Sequence, residues 1–164
     1  MEKSETSFDK IERDVDAQEA YNRRNILKVA GVKQTKSENT NAIALDIFNA
    51  MGIPVTSYDI DRTHRNYYYS RNRRNSPPDI YVKFISHDVK DRIYANRDIL
   101  RNLPGCKGIY INEVLTAVRS ILFAKIRKLR GWKSWTYDGS IFMRKFEGQK
   151  PTRSRRSMTL ISCI

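Results

Sequence analysis

Cysteine and histidine are scarce in this chain, two of each: Cys106 and Cys163, His64 and His87. A tetrahedral zinc site at finger spacing cannot be assembled from so few ligands, and there is no material for a disulfide framework. No metal and no cofactor is therefore expected, and a reducing compartment suits the chain. Long apolar runs are also missing. None approaches the roughly 18–20 residues that cross a bilayer, and the acidic N-terminus does not read as a signal peptide. Cys163 stands second from the end rather than fourth, where a prenylation signal would need it. The expectation is a protein with no transmembrane segment, cytoplasmic and/or nuclear. Catalytic constellations are absent as well: no histidine sits at a telling spacing from Ser or Cys, and no carboxylates cluster. Asp59 and Asp61 read as residues that shape a strand end. Neither an enzyme, a catalytic residue nor a small-molecule substrate is expected.

Acid is missing from one long stretch, with none between Val114 and Tyr137. What is present instead is positive charge, a net +13 that is unevenly placed. Residues 1–22 hold seven acids (Glu2, Glu5, Asp9, Glu12, Asp14, Asp16, Glu19) against Lys3, Lys10 and Arg13. The rest of the 164 residues hold 28 Lys and Arg against 11 Asp and Glu. A basic body of this kind points to a polyanionic partner, most often nucleic acid and less often an acidic membrane surface. The length allows one domain with a sound core, or a small domain with an appendage.

The pattern organises around Pro78-Asp79-Ile80-Tyr81-Val82-Lys83-Phe84. Ile80, Val82 and Phe84 alternate with Asp79, Tyr81 and Lys83, the period of a strand with one face to a core. Its outward face is either a solvated polar surface or a contact surface, with tyrosine to stack on a base and lysine to take a phosphate. Upstream, residues 1–24 are a frayed acidic helix or disordered arm, or, from the spacing of Phe8, Ile11 and Val15, the stub of an oligomerising coiled coil that would self-associate through residues 8–22. Asn25–Val32 reads as a first strand. A helix capped near Asn39 or Thr40 follows, burying Ala44, Ile47, Phe48 and Met51 and stopped by Gly52 and Pro54. Tyr58–Arg65 is a second strand. Asn66–Pro77 is a loop with three tyrosines and three arginines, either a single-strand contact or simply disordered. Ser86 caps a helix with a buried stripe of Val89, Ile93, Leu100 and Leu103, and Gly108–Asn112 is a fourth strand. From Thr116 to Arg130 runs a basic helix with an expected apolar stripe of Val118, Ile121, Leu122, Ile126 and Leu129. Asp138-Gly139 then joins two strands in a hairpin that pairs Trp135 with Phe142 and Thr136 with Ile141.

The order from Asn25 to Asn112 is strand-helix-strand-strand-helix-strand. That predicts an α+β, ferredoxin-like βαββαβ domain of the RNA-recognition-motif type. The expected divisions are 1–24, an acidic N-terminal helix or coiled-coil stub; 25–113, the RNA-recognition-motif-like domain; 114–148, a helix and hairpin domain; and 149–164, a basic disordered tail. The expected partner is single-stranded RNA or DNA, bound with little sequence preference. Lys28, Arg62, His64, Arg65, Tyr81, Lys83 and Tyr110 would form the sheet face. Tyr68, Arg71, Arg73 and Arg74 would reach from the loop, and Arg119, Lys125, Arg127 and Lys128 would add phosphate contacts from the basic helix. The alternative is a protein-interaction or assembly factor whose charge is incidental.

Several segments together resemble one known family. They are Arg23-Arg24-Asn25, the N-I-L-K-V-A-G-V strand from Asn25, D-I-D-R-T-H-R from Asp59, P-D-I-Y-V-K-F from Pro78, H-D-V-K-D-R-I from His87, I-Y-I-N-E-V-L-T-A from Ile109, and the D-G hairpin ending in M-R-K at Lys145. In this order and spacing the chain is similar, over about residues 15–148, to the baculovirus few-polyhedra (FP) protein family and to the related first-open-reading-frame proteins of LINE-type retrotransposons. The resemblance implies a domain like an RNA-recognition motif and then a helix-and-hairpin domain, preceded by an oligomerising coiled coil. It implies binding of single-stranded nucleic acid, chiefly RNA, with chaperoning of its annealing and without catalysis. It places the family's basic positions on His64-Arg65, on Lys83, and on Arg127 and Lys128. The chain departs from ordinary RNA-recognition motifs in having Lys28 where a stacking aromatic often stands, and in lacking their glycine-aromatic signature.

Overall fold

The computed structural model of the protein describes residues 6–68 and 76–145. In chain order its elements are α1 (Ser7–Arg23), β1 (Ile26–Ala30), α2 (Thr40–Ala50), β2 (Ile60–Asn66), β3 (Asp79–Phe84), α3 (His87–Ala95), β4 (Tyr110–Glu113), α4 (Ala117–Ile126), β5 (Trp132–Tyr137) and β6 (Ser140–Lys145). They group into two compact units, Asn25–Val114 and, separately, Met1–Arg24 with Leu115–Ile164. The loop arginines Arg71, Arg73 and Arg74 and the basic tail 149–164 lie outside the described residues.

The Asn25–Val114 unit is α+β, with a four-stranded antiparallel sheet in the order β2-β3-β1-β4. Alternation in β3 does what its sequence implies: Ile80, Val82 and Phe84 are buried while Asp79, Tyr81 and Lys83 are half-exposed. Leu27 and Val29 of β1 and Ile111 of β4 share that buried side, and α2 and α3 pack on it. Asn39 starts α2, its Oδ1 accepting from the backbone N–H of Asn41 and Ala42, so two of the end donors that a helix leaves unpaired are satisfied. Phe48 from α2 meets Phe84 from β3 with ring centroids 5.7 Å apart. From α3 come Val89, Ile93 and Tyr94. The helix expected to continue to Leu103 breaks at Asn96, whose side-chain Nδ2 donates to the Arg92 carbonyl. A 3-10 turn over Arg97–Asn102 carries Leu100 into the core.

One irregularity sets the face of β2. Ile60 pairs with Phe84, but the next partners are Arg62 and Lys83, so Asp61 is an extra residue in a β-bulge. A bulge inverts the alternation beyond it. Arg62 and His64 therefore turn to the outward side, and Thr63 and Arg65 to the core side. Gly31 allows the next approach. Its φ is +84°, and a Cβ there would lie 2.0 Å from the Gly108 carbonyl oxygen.

In the second unit, α1 is an ordered helix of 17 residues. Thr6 and Asp9 form a capping box, each side chain accepting from the other's backbone N–H. None of its residues is buried. Asp16 on α1 accepts from Thr116 Oγ1 and from Arg119 Nε at 2.8 Å, and Arg119 Nη1 donates to the Gly139 carbonyl at 2.8 Å. This clamp sets the rotation of α4. Arg119, Leu122, Phe123 and Ile126, at i, i+3, i+4 and i+7, are its buried or half-buried face, and the expected apolar stripe is corrected accordingly. Val118 and Ile121 point away, 58% and 60% exposed, and Leu129 lies past the end of the helix. The hairpin matches its sequence pattern. Trp135 pairs with Phe142 and Thr136 with Ile141, and Asp138 (φ 48°) and Gly139 (φ 72°) make the tight turn.

Candidate nucleic-acid interface

Strand register gathers the outward residues of the four-stranded sheet into rows. His64, Tyr81, Lys28 and Asn112 stand side by side across all four strands. At a strand spacing of about 4.8 Å this row is about 14 Å long. On one side of it lie Arg62, Lys83 and Ile26; on the other lie Asn66 opposite Asp79, and Ala30 opposite Tyr110. The His64 and Tyr81 rings are 5.7 Å apart and tilted by 49°. Tyr110 is 57% exposed. Six of the seven expected sheet residues thus share one face: Lys28, Arg62, His64, Tyr81, Lys83 and Tyr110. Asn112 and Asn66 join them, amides that can bond base edges or 2′-hydroxyls. The alternation around Ile111 would have indicated Asn112.

Lys83 Nζ lies 3.0 Å from the Asp61 carboxylate, with the two side chains 38% and 45% exposed. A pair of this kind contributes about 0–1 kcal/mol, so exchange of Asp61 for a phosphate costs little. Beyond β2, Tyr68 is 78% exposed and its backbone N–H donates to Asn66 Oδ1, while the Tyr67 hydroxyl accepts from Gln34 Nε2 at 2.6 Å.

Arg65 is the correction within this set. It is buried on the core side, and all five of its N–H donors are engaged. Nε and Nη2 hold the two oxygens of Glu38 at 2.8 Å each. Nη1 donates to the carbonyls of Val32 and Pro78, and Nη2 to that of Lys33. A guanidinium has no further donor to offer a phosphate. The hydrogen bond from Arg65, with a smaller contribution from the Thr35 backbone N–H, holds the Glu38 carboxyl below its ordinary range despite the opposing effect of burial. Arg65 therefore ties together the loop after β1 and the start of β3. Alternation counted from Ile60 would have placed it outward; the bulge reverses that.

Arg119 is held within its own unit, Nε by Asp16 and Nη1 by the Gly139 carbonyl, with its side chain 19% exposed. Lys125, Arg127 and Lys128 are exposed in the same unit, Arg127 with its Cζ 5.7 Å from the Phe123 ring centroid. The described residues contain no group of three His, Cys, Asp or Glu that could hold a metal ion, and no helix long and apolar enough to cross a membrane.

No protein-family model matches the chain, and no curated protein does.

Proposed function

We propose that the chain binds single-stranded nucleic acid, RNA in preference to DNA, with little sequence preference and without catalysis, through the outward face of a ferredoxin-like sheet of the RNA-recognition-motif type. The observation that carries this reading is the row His64–Tyr81–Lys28–Asn112 beside Arg62 and Lys83. It puts flat rings, cations and amides within one nucleic-acid footprint. The element order and the strand order β2-β3-β1-β4 support the fold assignment. RNA preference and an annealing-chaperone activity follow from the resemblance to few-polyhedra and LINE first-open-reading-frame proteins, and membership of that group is part of the proposal. With few stacking rings on the sheet, backbone electrostatics dominates affinity.

Fluorescence anisotropy with labelled single strands, RNA and DNA in parallel across a salt series, tests the reading. Tight binding that weakens steeply with salt and is poorly competed by duplex is expected. Absence of binding at low salt would refute it. A second reading, self-association through residues 8–22, is favoured by Phe8, Ile11 and Val15, exposed by 66%, 59% and 60% on α1. A monomer at micromolar concentration in sedimentation would dismiss it.

A further inference from the structure

Both tryptophans of the chain, Trp132 and Trp135, stand in β5. Register sorts the β5–β6 hairpin into two faces. Thr136 opposite Ile141 and Ser134 opposite Met143 share one, and because Thr136 and Ile141 are buried, that face is inward. On the other, Lys133 stands opposite Arg144, Trp135 opposite Phe142 and Tyr137 opposite Ser140. Successive pairs are about 6.8 Å apart along the strands. Trp135 and Phe142 are stacked, with 15° between their planes and centroids 5.9 Å apart. Both rings are half-buried, Tyr137 is 53% exposed, and Lys133 and Arg144 are exposed.

Two features point to an anionic ligand that carries flat rings. Like charges directly opposite on a hairpin are destabilising, yet Lys133 and Arg144 are such a pair and no acid of β5 or β6 stands on their face; Asp138 lies in the turn. A polyanion would neutralise them. Beside them is a platform of three aromatic side chains, and stacking on rings with cations close by is how single strands are held without regard to sequence.

We infer that this outward hairpin face is a second contact surface for single-stranded nucleic acid, with bases against Trp135, Phe142 and Tyr137 and phosphates on Lys133 and Arg144. The inference rests on the reading of the chain as a single-strand binder, but it uses none of the residues of the four-stranded sheet.

The tryptophans supply the test. In the full chain, Trp132→Phe leaves Trp135 as the sole indole, so its emission reports the hairpin while anisotropy of labelled oligo(U) reports binding anywhere. Quenching of Trp135 along the same isotherm as the anisotropy is expected. Lys133→Gln/Arg144→Gln should flatten the plot of log affinity against log salt by about 1.4, for two phosphate contacts. Its unfolding midpoint should hold or rise, because the like-charge pair is gone. Trp135→Leu should weaken binding about 5- to 150-fold. Quenching that persists in Lys28→Ala/Tyr81→Ala supports a hairpin contact in its own right. Binding by anisotropy with constant Trp135 emission and an unchanged salt slope in the charge variant overturns the hairpin surface and leaves the sheet reading standing. No binding at low salt overturns both. Equal quenching by polyglutamate, which has no rings to stack, overturns the hairpin assignment.

Discussion

Lys90 and Glu113 face each other across the core of the Asn25–Val114 unit, and their removal separates the energetics of the fold from those of the interface. Lys90 Nζ donates to Glu113 Oε1 at 2.8 Å, with side chains 1% and 4% exposed. Asp91 lies 3.3 Å from the same nitrogen. At an effective dielectric of about 20, unit charges this close attract by about 6 kcal/mol. Withdrawing each ion from water costs several kcal/mol, so the intact pair is near neutral for stability. One partner alone is not. Lys90→Met leaves Glu113 buried without its cation and should cost about 3–5 kcal/mol, a fall in melting temperature of roughly 12–40 °C for a unit of this size. Glu113→Leu should cost a similar amount. The double variant Lys90→Met/Glu113→Leu should return to within about 1 kcal/mol of the parent. Urea denaturation of the four proteins, followed by far-UV circular dichroism at pH 7, measures the cycle. Additive losses, or single losses below about 1 kcal/mol, would refute the reasoning. Because both residues face the core, affinity for a single strand measured well below the transition should not change. The pH dependence has a definite sign. Burial pulls the Lys90 ammonium down, but the hydrogen bond to Glu113 and the charges of Glu113 and Asp91 outweigh it and raise its pKa above the ordinary 10.5. The stabilisation is therefore full below that value and lost as pH rises through the folded one.

Further outcomes follow from the clamps and the faces. Arg65→Lys should lower the urea midpoint, since three ammonium donors cannot replace five in a planar fork; weakened binding by a variant that remains fully folded would contradict its assignment as a clamp. Lys28→Ala and Lys83→Ala should each flatten the salt dependence of binding by about 0.7 while leaving stability within about 0.5 kcal/mol. Gly31→Ala should destabilise by about 2–3 kcal/mol in thermal melts, because it adds a Cβ at positive φ against the Gly108 carbonyl. In acid, the Glu38 carboxyl, lowered chiefly by Arg65, and the Asp59 carboxyl, lowered chiefly by the Thr56 backbone N–H, stabilise the fold above their ordinary values of 4.5 and 3.8. That contribution disappears as pH falls through the lowered values, so Glu38→Gln should blunt the acid transition seen by circular dichroism.

Much of the architecture was legible because it depends on neighbours in the chain. The alternation Ile80-Tyr81-Val82-Lys83-Phe84 predicted β3, and the capping residues Asn39 and Thr40 predicted the start of α2. Asp138-Gly139 predicted both the turn and the Trp135–Phe142 register. On the outward face of the four-stranded sheet, Tyr81, Lys83, Lys28 and Tyr110 followed from the period of two. Arg65 did not, because one bulged residue at Asp61 reversed the faces of everything after it in β2. The helix stripe was legible only at Leu122 and Ile126. Val118-Ile121 and Leu122-Ile126 both satisfy a helical spacing, and Arg119 chose between them by bonding Asp16.

The sequence by itself determined the kinds of element, their order, the turn that closes the hairpin and the basic balance of the chain, since propensity, capping and alternation act over a few residues. Only the tertiary structure decided which cations stand outward on the four-stranded sheet and which are consumed within each unit. Arg65 finds Glu38 at a separation of 27 positions, Lys90 finds Glu113 at 23, and Arg119 finds Asp16 at 103. A buried cation must be matched by an acceptor wherever the fold brings one, and no local pattern records which acceptor that will be.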